Sequence, residues 1–326
     1  MKPRFDWIPP ALTLAIALGA LVLVGNPSTW LTLTVAGLAM GLLVFLMASG
    51  LTLVFGLMDV MNFAHGLFIA VGAYVAASVM KLFSAGSEAE SFLANLGALA
   101  PAVLAAILAA GLLGLVFERV IIRPVYGQHL KQILITTGGM IVAEQLIHVL
   151  WGPDLLPLPR PASLRGSFVF GDVALEKYRL AATVVGLAVF AAMLLLLNRT
   201  RIGLLIRAGV ENKEMVEAMG YRIRRLFVAV FVAGSALAGL GGALWGMYQE
   251  TVTVAIGAQM MVLIFIVIII GGLGSVGGCF IGAILVGLVA NYVGYLSPKI
   301  ALGSNILLMM LVLLWRPQGL YPVGRQ

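Results

Sequence analysis

Residues 30–74 read WLTLTVAGLAMGLLVFLMASGLTLVFGLMDVMNFAHGLFIAVGAY. Apolar and small residues dominate up to Met58; Asp59 and the block Asn62-Phe63-Ala64-His65-Gly66 then interrupt a run that otherwise continues to Tyr74. One helix crosses the hydrocarbon with roughly 20 apolar residues. The stretch therefore reads as two membrane spans with a polar break between them.

The same character extends over the whole chain. It is 62% hydrophobic and 10% charged, with a mean hydropathy of +1.09, whereas a soluble domain carries about 25% charged residues. Apolar runs fall near 8–25, 30–56, 63–80, 92–116, 132–150, 181–197, 226–248, 259–271, 277–296 and 302–315. The expected fold is an all-α integral membrane protein of about ten transmembrane helices, forming a single domain over 1–326. Eight or nine helices are the alternatives, because 259–271 and 302–315 are short and the Gly-rich junction at 271–278 reads as a tight or re-entrant turn. Lys2 and Arg4 ahead of an apolar run imitate a signal peptide, but Leu23-Val24-Gly25 fits the small-residue cleavage pattern poorly. A retained first span is expected.

Three long polar connections remain, one at 81–91 with Lys81, Glu88 and Glu90, a Pro-rich one at 151–180 and a charged one at 198–225. With ten helices and both termini in the cytoplasm, that side receives Lys2, Arg4, Arg119, Arg123, Lys131, Arg316, Arg325 and the seven cations of 198–225. The outer side receives Lys81, Arg160, Arg165, Lys177, Arg179 and Lys299. This asymmetry follows the positive-inside rule, making 151–180 periplasmic and 198–225 cytoplasmic. It also accounts for the net charge of +7 without nucleic acid. The single cysteine, Cys279, excludes an intrachain disulfide framework and any Cys-based metal cluster.

The 39 glycines fall largely inside the spans. The G-x-x-x-G pairs Gly37/Gly41, Gly242/Gly246 and Gly278/Gly282 read as close helix packing. No G-x-x-x-x-G-K-[ST] phosphate loop occurs. Residues 272–277 spell G-x-G-x-x-G, but they lie between spans and no acidic residue follows, so a dinucleotide site is rejected. His65, His129 and His148 show no metal-ligand spacing. Glu144 and His148, at i and i+4, form an intramembrane pair; a helix–helix polar contact or a place near the outer interface explains them equally well.

Asn62, Phe63, His65 and Gly66 are candidate substrate-pathway residues, with Tyr74 beyond them, because broken helices turn polar groups and backbone dipoles toward a pathway. A polar turn at the interface is the alternative. Thr253-Val254-Ala255-Ile256-Gly257-Ala258 forms a faint counterpart, five helices later and on the other side of the membrane. An inverted repeat is therefore expected, with Thr253 and Gly257 in the second copy. In the charged loop, 204–220 reads as one amphipathic helix between Gly203 and Gly220, with Leu204, Ala208, Met215 and Met219 in one apolar sector. It either lies on the lipid surface or inserts into a partner's groove.

Together these residues resemble the permease subunits of bacterial ABC importers for branched-chain amino acids, in particular the LivH-like one of two paralogous permeases. The resemblance is carried by Gly50-Leu51-Thr52-Leu53-Val54-Phe55-Gly56, Asn62-Phe63-Ala64-His65-Gly66 and Gly72-Ala73-Tyr74. Further along, Thr136-Thr137-Gly138, Trp151-Gly152 and Thr200-Arg201-Ile202-Gly203 match, followed by Arg207-Ala208, Asn212 and Met219-Gly220. Ala238-Gly239, Gly271-Gly272-Leu273-Gly274-Ser275 and Arg316-Pro317-Gln318-Gly319-Leu320 complete it. It spans roughly 30–320.

The resemblance implies a multi-pass permease of the bacterial inner membrane with no nucleotide site or enzymatic activity of its own. Its implied partners are a LivM-like permease in a heterodimer, two cytoplasmic ATPases that bind ATP and Mg, and a periplasmic substrate-binding protein. Gly203, Leu204, Arg207, Ala208, Asn212, Met215, Met219 and Gly220 would form the ATPase-coupling element. Relatives in the wider family carry urea, short amides or aromatic acids, which Phe63, His65 and Tyr74 do not distinguish from a branched-chain amino acid. An ATP-independent channel or secondary carrier, or a membrane-embedded enzyme using Glu144 and His148, are the readings from other classes.

Overall fold

The structure is a computed structural model that describes residues 6–322. Lys2, Arg4 and Arg325 lie outside the described residues, as do the side chains of Glu211 and Lys213. The helices are α1 (Ile8–Val24), α2 (Pro27–Met58), α3 (His65–Leu82), the short α4 (Ser84–Glu88), α5 (Phe92–Phe117) and α6 (His129–Trp151). Then come α7 (Lys177–Arg199), α8 (Arg201–Glu211), α9 (Lys213–Ala218), α10 (Ile223–Gln249), α11 (Ile256–Gly271), α12 (Val276–Leu296) and α13 (Pro298–Trp315). Among the described residues seven helices are long and apolar enough to cross a membrane, and α1, α11 and the later part of α13 are shorter apolar helices. Each of the ten apolar runs of the sequence thus falls on an apolar helix among the described residues, seven of them of spanning length. Gly272-Leu273-Gly274 is the turn between α11 and α12, with φ of +100° and +80° at its two glycines. Ser275 then caps α12 by accepting the Gly278 N–H at 3.0 Å.

Two halves of the chain repeat with a spacing of 191 residues. Helix α2 ends at Met58 and α10 at Gln249; α3 begins at His65 and α11 at Ile256. Asp59 and Glu250, the only non-glycine residues with positive φ among those described, stand at matching positions with φ of +55° and +60°. That region costs an L-residue roughly 1–2 kcal/mol, so its recurrence marks a shared turn. The first hydrogen bond after each turn matches as well: His65 N–H to Asn62 O at 3.3 Å, and Ile256 N–H to Thr253 O at 3.1 Å. Packing follows the same exchange, α2 lying on α12 as α10 lies on α5, and α3 on α6 as α11 on α13. Helices α2 and α10 cross each other in the centre, where Leu42 through Leu51 are buried without exception.

Glycine sets the distance at these crossings. A Cβ on Gly234 would stand 2.7 Å from the Gly50 carbonyl oxygen, and one on Gly41 would stand 2.5 Å from that of Ala283. Gly37 likewise abuts Leu288, and Gly72 abuts Gly239. Lipid tails are as apolar as the side chains, so helix association here draws on backbone-close van der Waals contact. All three G-x-x-x-G pairs serve this packing: Gly242 touches Ile69, Gly246 faces Leu158, and Gly278 and Gly282 meet α11.

Loops gather at two opposite faces. One holds Asp59, Tyr126, His129, α8, α9 and the tail after α13, where Arg316 pairs with Asp6 at 2.6 Å and Tyr321 N–H reaches Gly271 O at 2.9 Å. This is the basic face. The opposite face holds α4 and residues 152–176, which include β1 (Leu156–Pro157) and the hairpin of β2 (Ser167–Phe170) with β3 (Val173–Glu176). Strand β1 pairs antiparallel with β4 (Thr251–Val252), Leu156 opposite Val252.

Replacing Gly50 by Ala should destabilise the purified protein by about 1–3 kcal/mol through overpacking. Gly97→Ala, which meets no atom within 4 Å, should leave the thermal midpoint in detergent unchanged or higher. Equal midpoints for the two variants would exclude glycine-limited packing at the α2–α10 crossing.

Candidate functional site: two helix breaks and a docking face

The first break follows Asp59, whose N–H still caps α2 by bonding Phe55 O at 2.9 Å. The chain then turns inward, with the Ala64 N–H on Asn62 Oδ1 at 3.1 Å. The Phe63 N–H donates to Thr136 Oγ1 on α6 at 3.2 Å, while the Thr136 hydroxyl donates to Gln132 O at 2.7 Å. One threonine thus supplies a partner to a backbone group that the break strips of its helical acceptor. His65 is buried, and its Nε2 lies 2.9 Å from the Met47 carbonyl in the middle of α2. A carbonyl only accepts, so Nε2 carries the proton. The Phe63 ring rests on Phe265 of α11 at 5.1 Å.

The two breaks meet within the bundle. Gly66 and Gly257, each the second residue of its helix, are in direct contact, and a Cβ on Gly66 would stand 2.6 Å from Gly257 O. The Met140 methyl of α6 closes over both glycines, at 3.0 and 2.9 Å from the two Cβ positions. The structure therefore brings together Asn62, Phe63, His65, Gly66 and Gly257. Thr253 shapes the second turn through its carbonyl. Tyr74 lies further along α3, buried against Trp151 at 5.3 Å with its hydroxyl unpartnered. Glu144 and His148 are half-buried on α6.

Around the first break several buried polar atoms have no partner: Asn62 Nδ2, Gln132 Oε1 and Glu118 Oε2. Glu118, at the π-helical end of α5, accepts a short hydrogen bond from the Tyr126 hydroxyl. Burial first, and the Glu118 contact second, push the Tyr126 hydroxyl far above its usual pKa. Sequence reading placed no weight on Glu118, Gln132 or Tyr126. Only the odd presence of Glu118 and Gln132 beside apolar runs could have singled them out.

The second break is bridged by one side chain instead, although the buried Nε of the neighbouring Arg179 has no partner. Arg160, from the loop after α6, donates from Nε to Met247 O at 3.1 Å and from Nη2 to Tyr248 O at 2.8 Å. It also pairs with Glu176 and Glu250, each at 3.2 Å, and lies over the Tyr178 ring at 5.0 Å. Arg160 counted only as an outer-loop cation in the sequence; its role depends on a contact 88 positions away. Nearby, the Arg165 guanidinium hydrogen-bonded to Glu88 holds that carboxyl below its ordinary 4.5. The pair therefore persists above that value and is lost as pH falls through the lowered pKa.

The charged segment departs from the single helix expected over 204–220. It forms two helices, because Asn212 accepts the Met215 N–H at 2.9 Å and so caps α9 rather than continuing α8. Thr200 caps α8 through the Gly203 N–H at 3.1 Å, and Gly220 turns the chain out of α9 with φ +87°. Gly203, Ile206, Gly209 and Val216 pack inward, with Gly209 against Leu57 at the end of α2. Leu204, Met215 and Met219 face outward, 60% exposed or more, with Ala208 half-buried and Arg207 bonded to Asn198 at 3.3 Å. A cavity of about 190 Å³ separates this segment from the first break, lined by Met58, Asp59, Tyr126, His129, Glu217 and Arg224.

Thr136→Val keeps the shape of α6 and leaves the Phe63 N–H without its acceptor. A buried donor so stranded costs about 1–3 kcal/mol, and the thermal midpoint should fall accordingly. A midpoint identical to that of the unmodified protein would remove Thr136 from the support of the break.

Comparison with known proteins agrees with this architecture. Residues 33–315 match the family model of the branched-chain amino acid transport system permease component. The chain is 31% identical to the high-affinity branched-chain amino acid transport system permease protein BraD of Pseudomonas aeruginosa, over 88% of this chain and 94% of that protein. It is 30% identical to LivH of Escherichia coli, over 87% and 92% of the two chains, and 26% identical to LivM of the same organism, over 90% and 69%. No solved structure matches the chain. With ten apolar helices, two breaks related by an inverted repeat and a family match covering nearly the whole bundle, the chain belongs to the permease component family of branched-chain amino acid transport systems.

Proposed function

We propose that this chain is the LivH-like permease subunit of an ABC importer that moves branched-chain amino acids from periplasm to cytoplasm by alternating access. The carrying observation is the pair of helix breaks that open toward opposite faces and touch at Gly66 and Gly257. Two equivalent gates around one contact are the geometry that alternating access requires. The excess of cations on the face of α8 and α9 supports a cytoplasmic placement for that face and for both termini.

The apolar stripe of Leu204, Met215 and Met219 projects into water from a segment otherwise rich in charge. Exposed apolar side chains on an amphipathic pair of helices suit a partner's groove. The partners are two cytoplasmic ATPases, which hold ATP and Mg; a LivM-like permease in a heterodimer and a periplasmic binding protein complete the complex. Force applied at α8 reaches α2 directly through Gly209 and Leu57, two residues before the first break. The pathway selects weakly by itself, and the binding protein confers the preference for branched-chain amino acids over urea, short amides or aromatic acids.

Arg207→Glu with Met215→Asp should lower ATP-dependent uptake at least about ten-fold, because it places like charge and a desolvated carboxylate in the dock. The assay uses the assembled complex in proteoliposomes, with leucine, urea and benzoate as competing substrates and ATPase co-purification as the second readout. Unchanged flux would indicate an ATP-independent channel or carrier, and uptake of urea in preference to leucine would overturn the substrate assignment.

A further inference from the structure

The inverted repeat makes the two breaks equivalent in backbone, yet their surroundings differ. At the first, Asp59 is half-exposed and lies 3.8 Å from His129, beside the 190 Å³ cavity and several unpartnered buried polar atoms. At the second, the loop 152–176 passes over the break as a strap. Strand β1 pairs with β4 immediately after Glu250, the Leu158 N–H donates to Glu250 O at 3.0 Å, and the fully buried Leu158 side chain fills the notch at Gly246. Arg160 fastens this strap. Its fork engages the carbonyls of Met247 and Tyr248, which the end of α10 leaves without intrahelical partners. The positive guanidinium also suits the negative end of the helix dipole. Glu250, just past the end of α10, and Glu176 from β3 flank it, and Arg179 of α7 shares Glu176 at 2.9 Å. The far end of the strap is moored as well, Ser163 N–H to Asn95 Oδ1 at 2.6 Å and Arg165 to Glu88.

We infer that Arg160 is the bolt of the periplasmic gate, a positioning residue that holds the second helix break closed under the 152–176 strap. This deepens the transport reading above and rests on it. In this structure the periplasmic gate is fastened and the cytoplasmic break is not, so the chain stands closed to the outside. Opening requires the Arg160 fork to leave the Met247 and Tyr248 carbonyls, which frees Thr251 and Val252 from β1 and lets the segment before Gly257 move against Gly66. Lysine cannot replace arginine here, since a point charge cannot span two carbonyls and two carboxylates at once.

The test uses the complete transporter in nanodiscs, where a bulky hydrophilic maleimide reaches both faces. A Val252→Cys substitution places the reporter under the strap, at a side chain that is fully buried, and the native Cys279, equally buried in α12, reports on general loosening. Arg160→Gln should raise the labelling rate of the residue-252 thiol at least about ten-fold, with Arg160→Lys intermediate and Cys279 unlabelled throughout. In proteoliposomes, Arg160→Gln should raise the ATP hydrolysed per substrate imported about three-fold or more, whereas a purely structural defect lowers both rates together. Unchanged labelling, labelling of Cys279 alongside, or an equal fall in hydrolysis and uptake would each overturn the assignment. Should Arg160→Gln fail to assemble, Glu250→Gln keeps the fork on both carbonyls and should raise labelling a few-fold; no change there overturns the bolt. Labelling is read without transport, so absent amino-acid uptake by the unmodified complex would count against the importer reading alone.

Discussion

Everything in this molecule depends on how closely two backbones can approach inside lipid. A soluble bundle gathers its helices by removing apolar surface from water, but a membrane bundle has no such gain and must find contacts that lipid tails do not offer. The glycines at Gly50 and Gly234, Gly72 and Gly239, and Gly66 and Gly257 supply them by letting helix touch helix at the main chain. The first two pairs hold α2 and α3 against α10, so the core is rigid where the long helices cross. The third pair lies at the beginning of α3 and α11, where each helix has just left an irregular turn. The same close contact that stabilises the long crossings thus makes the two breaks share one boundary.

That shared boundary explains why the polar groups lie where they do. An interrupted helix in the membrane must find partners for its freed backbone groups, and the two breaks solve this differently. Thr136 gives its hydroxyl to Phe63, and the Asn62 side chain serves Ala64, but Asn62 Nδ2 and Gln132 Oε1 stay unpartnered. Arg160 satisfies two carbonyls at the end of α10 and neutralises Glu250. Arg179 Nε beside the second break is unpartnered too, so what separates the breaks is the strap and the Arg160 contacts that would be lost on moving the second. The asymmetry therefore assigns different stiffness to two turns whose backbones are nearly the same.

Much of this was legible in the sequence, for identifiable reasons. Hydropathy alone places the ten apolar runs, since span length is set by the bilayer and not by tertiary context, and the runs at 259–271 and 302–315 are short in the structure too. The Asn-Phe-Ala-His-Gly block stands out because polar residues are rare among apolar runs, and its neighbours at Gly66 and Gly257 do meet. The strap was illegible: Arg160 sits in a polar loop, and its partners are main-chain carbonyls, which any sequence would provide. The single helix expected over 204–220 fails for a different reason. A helical wheel over 204–220 assumes one continuous axis, and Asn212 resets that axis, so Ile206 and Val216 turn inward while Met215 and Met219 turn out.

The repeat itself was the faintest signal and became the strongest structural one. Only alanine and glycine coincide between 62–67 and 253–258, yet the turns agree to a few degrees in φ, and helix ends match at a constant spacing. Backbone geometry at a break demands little of the side chains beyond a residue held at positive φ, Asp59 in one copy and Glu250 in the other, and a glycine where helices touch. Side chains around the two breaks answer to different surroundings, since one turn faces the basic face of α8 and α9 and the other lies beneath a strap. Symmetry is thus preserved where the fold requires it and lost where the two gates do different work. In a protein of this kind, the residues that break the repeat, Arg160 foremost, are where direction of transport has to be sought.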